Sequence, residues 1–299
     1  MPPARAPLFE YFLLLLLATV WGASYTFIKL GVASIPPVTL IASRTVIAGA
    51  VLLAIMAAKG VAMPRDGQTW RRFLIQAAIN SAIPFTLIAW AEKTVDASLA
   101  TILNSTSPIF TFLLTLTMTR HEPATLAKLF GVAMGLLGIC LVIGVDALGG
   151  LGHNVAAQLA IVFATICYAG AAVFGRHFRG LHPLVPAAGS MICGAALLIP
   201  FSLILEKPWT LMPSASSIAA LLGLALISTA FAFVLYFRLI QTLGSIGVTA
   251  QAYLRVPIGV LLGVVFLGES LSVAAAIGLV CIVLGVAAMV RQPKATAKS

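Results

Sequence analysis

The stretch of residues 8–32, LFEYFLLLLLATVWGASYTFIKLGV, carries one acid near its start (Glu10), one base near its end (Lys29) and no charge between them. A helix needs about 20 predominantly apolar residues to cross the hydrocarbon core of a bilayer, and this stretch is long enough. Arg5 followed by Leu13 to Leu17 has the outline of a secretory leader. No small-residue cleavage site with a polar start follows it, so the segment reads as a retained membrane span.

Working outward, runs of the same kind fill the chain at 36–59, 69–92, 96–119, 125–145, 152–177, 183–205, 214–241, 246–267 and 271–291. The 299 residues are 61% hydrophobic and 9% charged, whereas a soluble domain carries about 25% charged residues. A soluble globule is excluded, and the expected fold is an all-α integral membrane protein of ten transmembrane helices.

The net charge of +10 raises the question of a nucleic-acid partner. Its distribution answers it. With an even number of spans, Arg5, Lys59, Arg65, Arg71, Arg72, Arg120, Lys128, Arg176, Arg179, Arg238, Arg291, Lys294 and Lys298 fall on the side of the termini, against Lys29, Lys93 and Lys207 on the other. This excess is the positive-inside pattern and places both termini in the cytoplasm. No nucleic-acid partner is expected. Cys140, Cys167, Cys193 and Cys281 all lie in apolar stretches without a CxxC pair or a neighbouring His, so they read as packing residues. Neither a metal nor a cofactor is expected.

The two halves resemble each other at an offset of 146 to 149. Ala18-Thr19 matches Ala164-Thr165, Pro37 matches Pro183, Ala50 matches Ala196, Phe85 matches Phe233 and Pro108 matches Pro257; Glu122, Gly131 and Gly138 meet Glu269, Gly278 and Gly285. The expected domains are therefore residues 1–148 and 149–299. Each holds five spans, an odd number, so the second must enter the membrane from the opposite side. Such inverted repeats can rock about a central site to give alternating access, a symmetry that a scaffold or receptor does not need.

The chain resembles the EamA type of the drug/metabolite transporter superfamily, and within it the YddG-type exporters of aromatic and other amino acids. The resemblance is carried by Trp21-Gly22 with Lys29, Arg44 after Pro36-Pro37, Pro108 and Pro257, and Leu267-Gly268-Glu269-Ser270. Thr119-Arg120-His121-Glu122 departs from the pattern in lacking the glycine before its Glu. The resemblance implies an exporter of small metabolites with a cavity lined by helices 1, 3, 4, 6, 8 and 9. It also implies a peripheral helix for Arg44, which reads as structural.

Arg255 is different, because it lies mid-span, where a charge costs at least ~2.5–3.5 kcal/mol and must face a cavity or a partner. It either bonds helix-end carbonyls near Pro257 or binds a substrate carboxylate, which guanidinium matches bidentately. All eight acids and all four histidines map to span ends or loops, which leaves no midplane proton carrier and favours a facilitative mechanism. An arginine without an acid also disfavours a dication such as paraquat.

The neutral candidates are Trp21, Ser24 and Tyr25 on one face of the first span and Asn80 in the third. Ser98, Thr101 and Ser105 form a stripe in the fourth with Asn104 beside it, and Tyr168, Thr229, Phe233 and Tyr253 follow in spans six to nine. Each reads equally as helix packing. Pro84, Pro108 and Pro257 are candidate kinks or hinges. The GxxxG pairs Gly131/Gly135 and Gly259/Gly263 read as close helix approach. Trp90 reads as an interfacial belt residue.

The leading expectation is a transporter of amino acids in the inner membrane. An antiporter of phosphorylated metabolites or nucleotide sugars is the alternative, and a multidrug or paraquat exporter a further one. The absence of HExxH, GxSxG and HxxxxD, and of a mid-membrane general base, excludes an enzyme.

Overall fold

The computed structural model describes residues 7–91, 94–95, 103–118, 125–143, 154–255, 258 and 273–290. These residues are helical, with turns between, and among them there is no strand. In chain order the helices are α1 (Pro7–Gly31), α2 (Pro37–Ala58), α3 (Gly67–Ala91), α4 (Ser107–Met118), α5 (Leu126–Ile143), α6 (Val155–Phe174) and α7 (Leu184–Glu206). The run Ala215–Thr249 is broken at Gly244 (φ 75°, ψ 178°), a backbone conformation open to glycine. The part before the break is α8. The part after it, with helical residues 251–255, is α9. Finally, α10 spans Val273–Val290. Five stretches are long and apolar enough to cross a membrane: Pro37–Ala58, Gly67–Ala91, Val155–Phe178, Leu184–Glu206 and Ala215–Thr249. Shorter apolar helices lie at Leu8–Ser24, Ser107–Thr117, Leu126–Val142 and Ala276–Met289.

Local chemistry sets the helix ends. Proline opens α2 at Pro37, where its missing N–H costs nothing. The Glu206 carboxylate at the end of α7 accepts from the exposed N–H groups of Val38 (3.1 Å) and Thr39 (2.6 Å). Asp66 caps α3 by accepting from Thr69 N at 2.8 Å, which holds its carboxyl below the usual carboxylate range. Ser214 caps α8.

Polarity is turned inside out relative to a water-soluble protein. Phe12, Leu116, Leu159, Phe201 and Ile204 are exposed, while Thr45, Gln76, Ser81, Thr165 and Ser190 are buried. A surface this apolar fits lipid rather than water.

Two antiparallel seams join the first half of the chain to the second. A Cβ on Gly131 would lie 2.5 Å from Gly285 O, and one on Gly138 would lie 2.5 Å from Gly278 O. The reverse contacts, Gly278 to Gly138 O and Gly285 to Gly131 O, are equally close at 2.7 and 2.6 Å. Thus α5 and α10 run in opposite directions at backbone contact. Gly131 is the repeat equivalent of Gly278, and Gly138 of Gly285. Each glycine therefore touches the equivalent of the other, which is the reciprocal pattern of a two-fold contact. The second seam is α2 against α7, where Gly49 meets Met191 and Gly194 meets Thr45. The expected GxxxG pair does sit in the seam, since a Cβ on Gly285 would lie 2.6 Å from Gly131 O and 2.7 Å from Gly135 N; Gly135 also receives the ring of Tyr253, and Gly259 and Gly263 lie outside the described residues.

Both α3 and α8 are interrupted by π-turns, at Ala78–Ala82 and Leu226–Phe231. At the offset of 148 that aligns Phe85 with Phe233, these are equivalent positions. Pro84 follows the first turn, but its counterpart is Ala232, so proline is not the shared cause. Pro108 is the second residue of α4 and follows turns at residues 105 and 106; it opens a helix after a break in the expected fourth span.

Candidate functional site: a cavity between two guanidinium groups

A partly open cavity lies among the helices. Its wall is formed by Trp21, Ser24 and Ile28 of α1, Arg44 of α2, Asn80, Phe85 and Ile88 of α3, and Asn104 with Ser107 at the start of α4. It is completed by Tyr168 of α6, Tyr236 of α8, and Val248, Thr249, Gln251, Ala252 and Arg255 of α9.

Arg44 anchors one side. Its Nε donates to Thr229 Oγ1 and its Nη2 to Ser228 O (3.3 Å), and its guanidinium stacks 4.0 Å from the centre of the Phe85 ring. The side chain is 2% exposed yet reaches the wall. The Ser228 carbonyl belongs to the π-turn of α8, where the i→i−4 ladder is broken, and it also accepts from Trp21 Nε1 at 3.1 Å. Trp21 in turn sits 5.7 Å from the guanidinium of Arg255, whose Nε donates to Gln251 Oε1 at 3.0 Å. Phe85 and Tyr168 continue the aromatic lining at 6.2 Å between ring centres.

A run of aromatic rings, mostly edge-to-face, packs behind one end of the cavity as a plug. Phe233 and Tyr236 touch Trp21, and the chain of contacts runs on through Phe237, Phe178 and Phe73 to Trp70. This plug lies toward the start of α3, while Ile28 and Ile88 mark the opposite end, near the ends of α1 and α3. On the plugged side, Glu10 pairs with Arg238 at 3.0 Å and accepts from Thr242 Oγ1, which ties α1 to the end of α8.

Of the residues singled out in the sequence, Trp21, Ser24, Asn80, Asn104, Tyr168 and Arg255 line this cavity. Ser98, Thr101, Pro257 and the side chain of Tyr25 lie outside the described residues. Four others are placed elsewhere. Ser105 is buried off the wall. Thr229 is committed to Arg44 and to Leu224 O, and Phe233 belongs to the plug. Tyr253 donates its hydroxyl to Val132 O at 3.0 Å and packs against Gly135, joining α9 to α5. Trp90 is half exposed, as a belt residue would be. Arg44 keeps the structural contacts expected of it, to Thr229, Ser228 O and the Phe85 ring, and α2 also brings its side chain to the cavity wall. The mid-span charge argument used for Arg255 applied to it equally. Gln251, one helical turn before Arg255, and Tyr236, three residues after Phe233, were readable from the same helical spacing.

A cavity inside a bundle of apolar helices, with charged and aromatic groups on its wall, is what a membrane transporter requires. The model of the EamA-like transporter family matches residues 8–144 and again residues 155–291, and the chain belongs to that family. It is 30% identical over 260 residues to the uncharacterized inner membrane transporter YedA of Escherichia coli (strain K12), covering 85% of this chain and 81% of that protein. It is 26% identical over 263 residues to a protein of Streptantibioticus cattleyicolor named "Probable terminal-alkyne amino-acid exporter", covering 86% and 84%. A chain of a solved crystal structure shares the fold, with a TM-score of 0.74 over 94% of this chain and 96% of that one at 22% identity.

Proposed function

We propose that the protein is a ten-helix secondary transporter of the inner membrane that exports amino acids by alternating access between two inverted five-helix repeats. The observation that carries this reading is a cavity with two guanidinium groups beside aromatic rings, a wall suited to a carboxylate with an apolar body. The antiparallel, reciprocal glycine contacts of α5 and α10 support the inversion. The amino-acid exporter among the relatives supports the substrate class. The basic excess on the side of the termini orients both into the cytoplasm, so the plugged end is cytoplasmic and the cavity faces outward. A fluorescent protein fused to the C-terminus and quenchable only from the cytoplasmic side checks that orientation.

Purified protein in liposomes, loaded with unlabelled phenylalanine, should take up labelled phenylalanine by counterflow. Absence of flux above empty vesicles overturns the substrate assignment. Arg255→Ala should reduce the flux at least about tenfold, the scale of one lost charge-assisted bond of 1.5–3 kcal/mol. The three described acids, Glu10, Asp66 and Glu206, lie at helix ends, so transport is proposed to be facilitative. Uphill accumulation under an imposed pH gradient would refute that.

Arg44 gives weight to a second reading, exchange of phosphorylated metabolites, because a phosphate dianion calls for more than one buried cation. Inhibition of phenylalanine counterflow by glucose 6-phosphate at lower concentration than by leucine would favour it.

A further inference from the structure

The two π-turns occupy equivalent places in the repeats but are held differently. In the turn of α8, Ser228 Oγ donates to Val20 O at 2.9 Å, and Ser228 O accepts from Trp21 Nε1 and Arg44 Nη2. Thr229 Oγ1 donates to Leu224 O at 2.7 Å and accepts from Arg44 Nε. These bonds fasten the turn to α1 and α2.

At the offset of 148, Leu224, Ser228 and Thr229 correspond to Gln76, Asn80 and Ser81 of α3. Asn80 Nδ2, Ser81 Oγ and both amide atoms of Gln76 are buried without a hydrogen-bond partner among the described residues. Gln76 lies beside the Tyr236 hydroxyl without completing a bond to it. The α7 residue that matches Arg44, at the offset of 146, is Ser190; it brings no guanidinium to this turn, and its own hydroxyl is unpartnered. The packing beside the turn is loose as well. Among the described residues, a Cβ on Gly170 of α6 would meet Ile79 Cδ1 alone, at 4.0 Å.

A buried polar atom without a partner has lost its hydration and received nothing in exchange, so each such atom calls for a reason. Here they gather on one turn, while the equivalent turn is bonded. In an inverted repeat, a contact that one half makes on one side of the membrane has its counterpart for the other half on the other side.

We infer that the α3 π-turn is the switch that draws the molecule out of this state: when the cavity closes to the outside, Gln76, Asn80 and Ser81 find partners against α6, as Ser228 and Thr229 here find them on α1 and α2. The unpaired turn favours departure from the present state and the bonded turn favours its retention. This rests on the alternating-access reading and the outward-facing assignment, not on the substrate.

The test compares Gln76→Leu, which installs the second-half residue, with Ser228→Ala, which removes the bond to Val20. Both are made in a cysteine-free chain carrying Ile88→Cys at the outer end of the wall. Thermal unfolding in detergent reads stability, and labelling by a membrane-impermeant maleimide added from outside reads the outward-facing population. Gln76→Leu should raise the midpoint by about 2–4 °C, because it removes unpaired atoms from the native state, and should label at least as fast as the parent. Ser228→Ala should lower the midpoint and label more slowly. The inference is overturned if Gln76→Leu fails to raise the midpoint or slows labelling, or if Ser228→Ala leaves both unchanged. If Gln76→Leu does not fold, Ser81→Ala makes the same comparison in a smaller step, and loss of the fold there too overturns the inference. The expected shifts without phenylalanine counterflow would uphold the switch and remove the substrate reading, whereas counterflow with contrary shifts would remove the switch alone.

Discussion

The Tyr253 hydroxyl donates to a carbonyl on another helix, and its ring occupies the space that a side chain at residue 135 would need. Removing the hydroxyl deletes one bond and keeps the packing. Interhelical hydrogen bonds in membrane proteins contribute about 0.6 kcal/mol on average, so Tyr253→Phe should lower stability by about that much and leave ligand concentrations for half-effect unchanged. A large loss of binding with unchanged stability would return Tyr253 to the wall. Tyr253 also shows how far single residues were legible. Helical spacing separates the lipid-facing side of a span from the protein-facing side, and by that mark Trp21, Asn80 and Tyr168 were readable. Thr229, Phe233 and Tyr253 carry the same mark. Whether a protein-facing side chain meets a cavity or a neighbour depends on what the other helices place opposite it, and no local pattern encodes that. Arg44 shows both roles at once, bonded to Thr229 and Ser228 O as a structural residue and still among the residues of the cavity wall.

Among the elements, the α5–α10 seam was legible in outline, through glycines repeated at the same offset in both halves. Its spacing was legible in part: Gly131 and Gly135 of the GxxxG pair both meet Gly285, and the contact continues to Gly138, seven residues from Gly131 and back on the same face after about two turns. A methyl group at residue 138 would collide with Gly278 O and Ile282 N, and backbone atoms cannot rotate away. Gly138→Ala should therefore reduce the yield of folded protein strongly, whereas Gly67→Ala, with nothing within 4 Å of the added carbon, should be silent. Size-exclusion profiles of the two variants in detergent decide this. The π-turns of α3 and α8 were not legible at all. One extra residue in a turn leaves no compositional trace, and Pro84 follows only the first of the two turns, since Ala232 stands at the matching place after the second.

For the molecule as a whole, the apolar helical character and the doubled family domain were the readable part, because bilayer thickness imposes long apolar helices and the two halves share residues at a constant offset. The seams add something that the order of spans does not contain. Because α5 meets α10 and α2 meets α7 at backbone distance, the first half of the chain is clasped to the second at two places. If the halves moved as rigid bodies, those contacts would have to slide past one another. Alternating access between the repeats would therefore need these two seams, α5 with α10 and α2 with α7, to serve as the pivots about which the cavity-lining helices move. A Cβ at residue 49 would lie 3.5 Å from Met191 Cβ, within the 3.5–4.5 Å that a disulfide needs. With the native cysteines replaced, Gly49→Cys with Met191→Cys should cross-link without loss of counterflow, and a transporter arrested by that bond would show the seam to be mobile. Helices that pivot at such seams would keep their outer faces in nearly the same lipid surroundings, so that the work of deforming the bilayer would fall on the remaining helices.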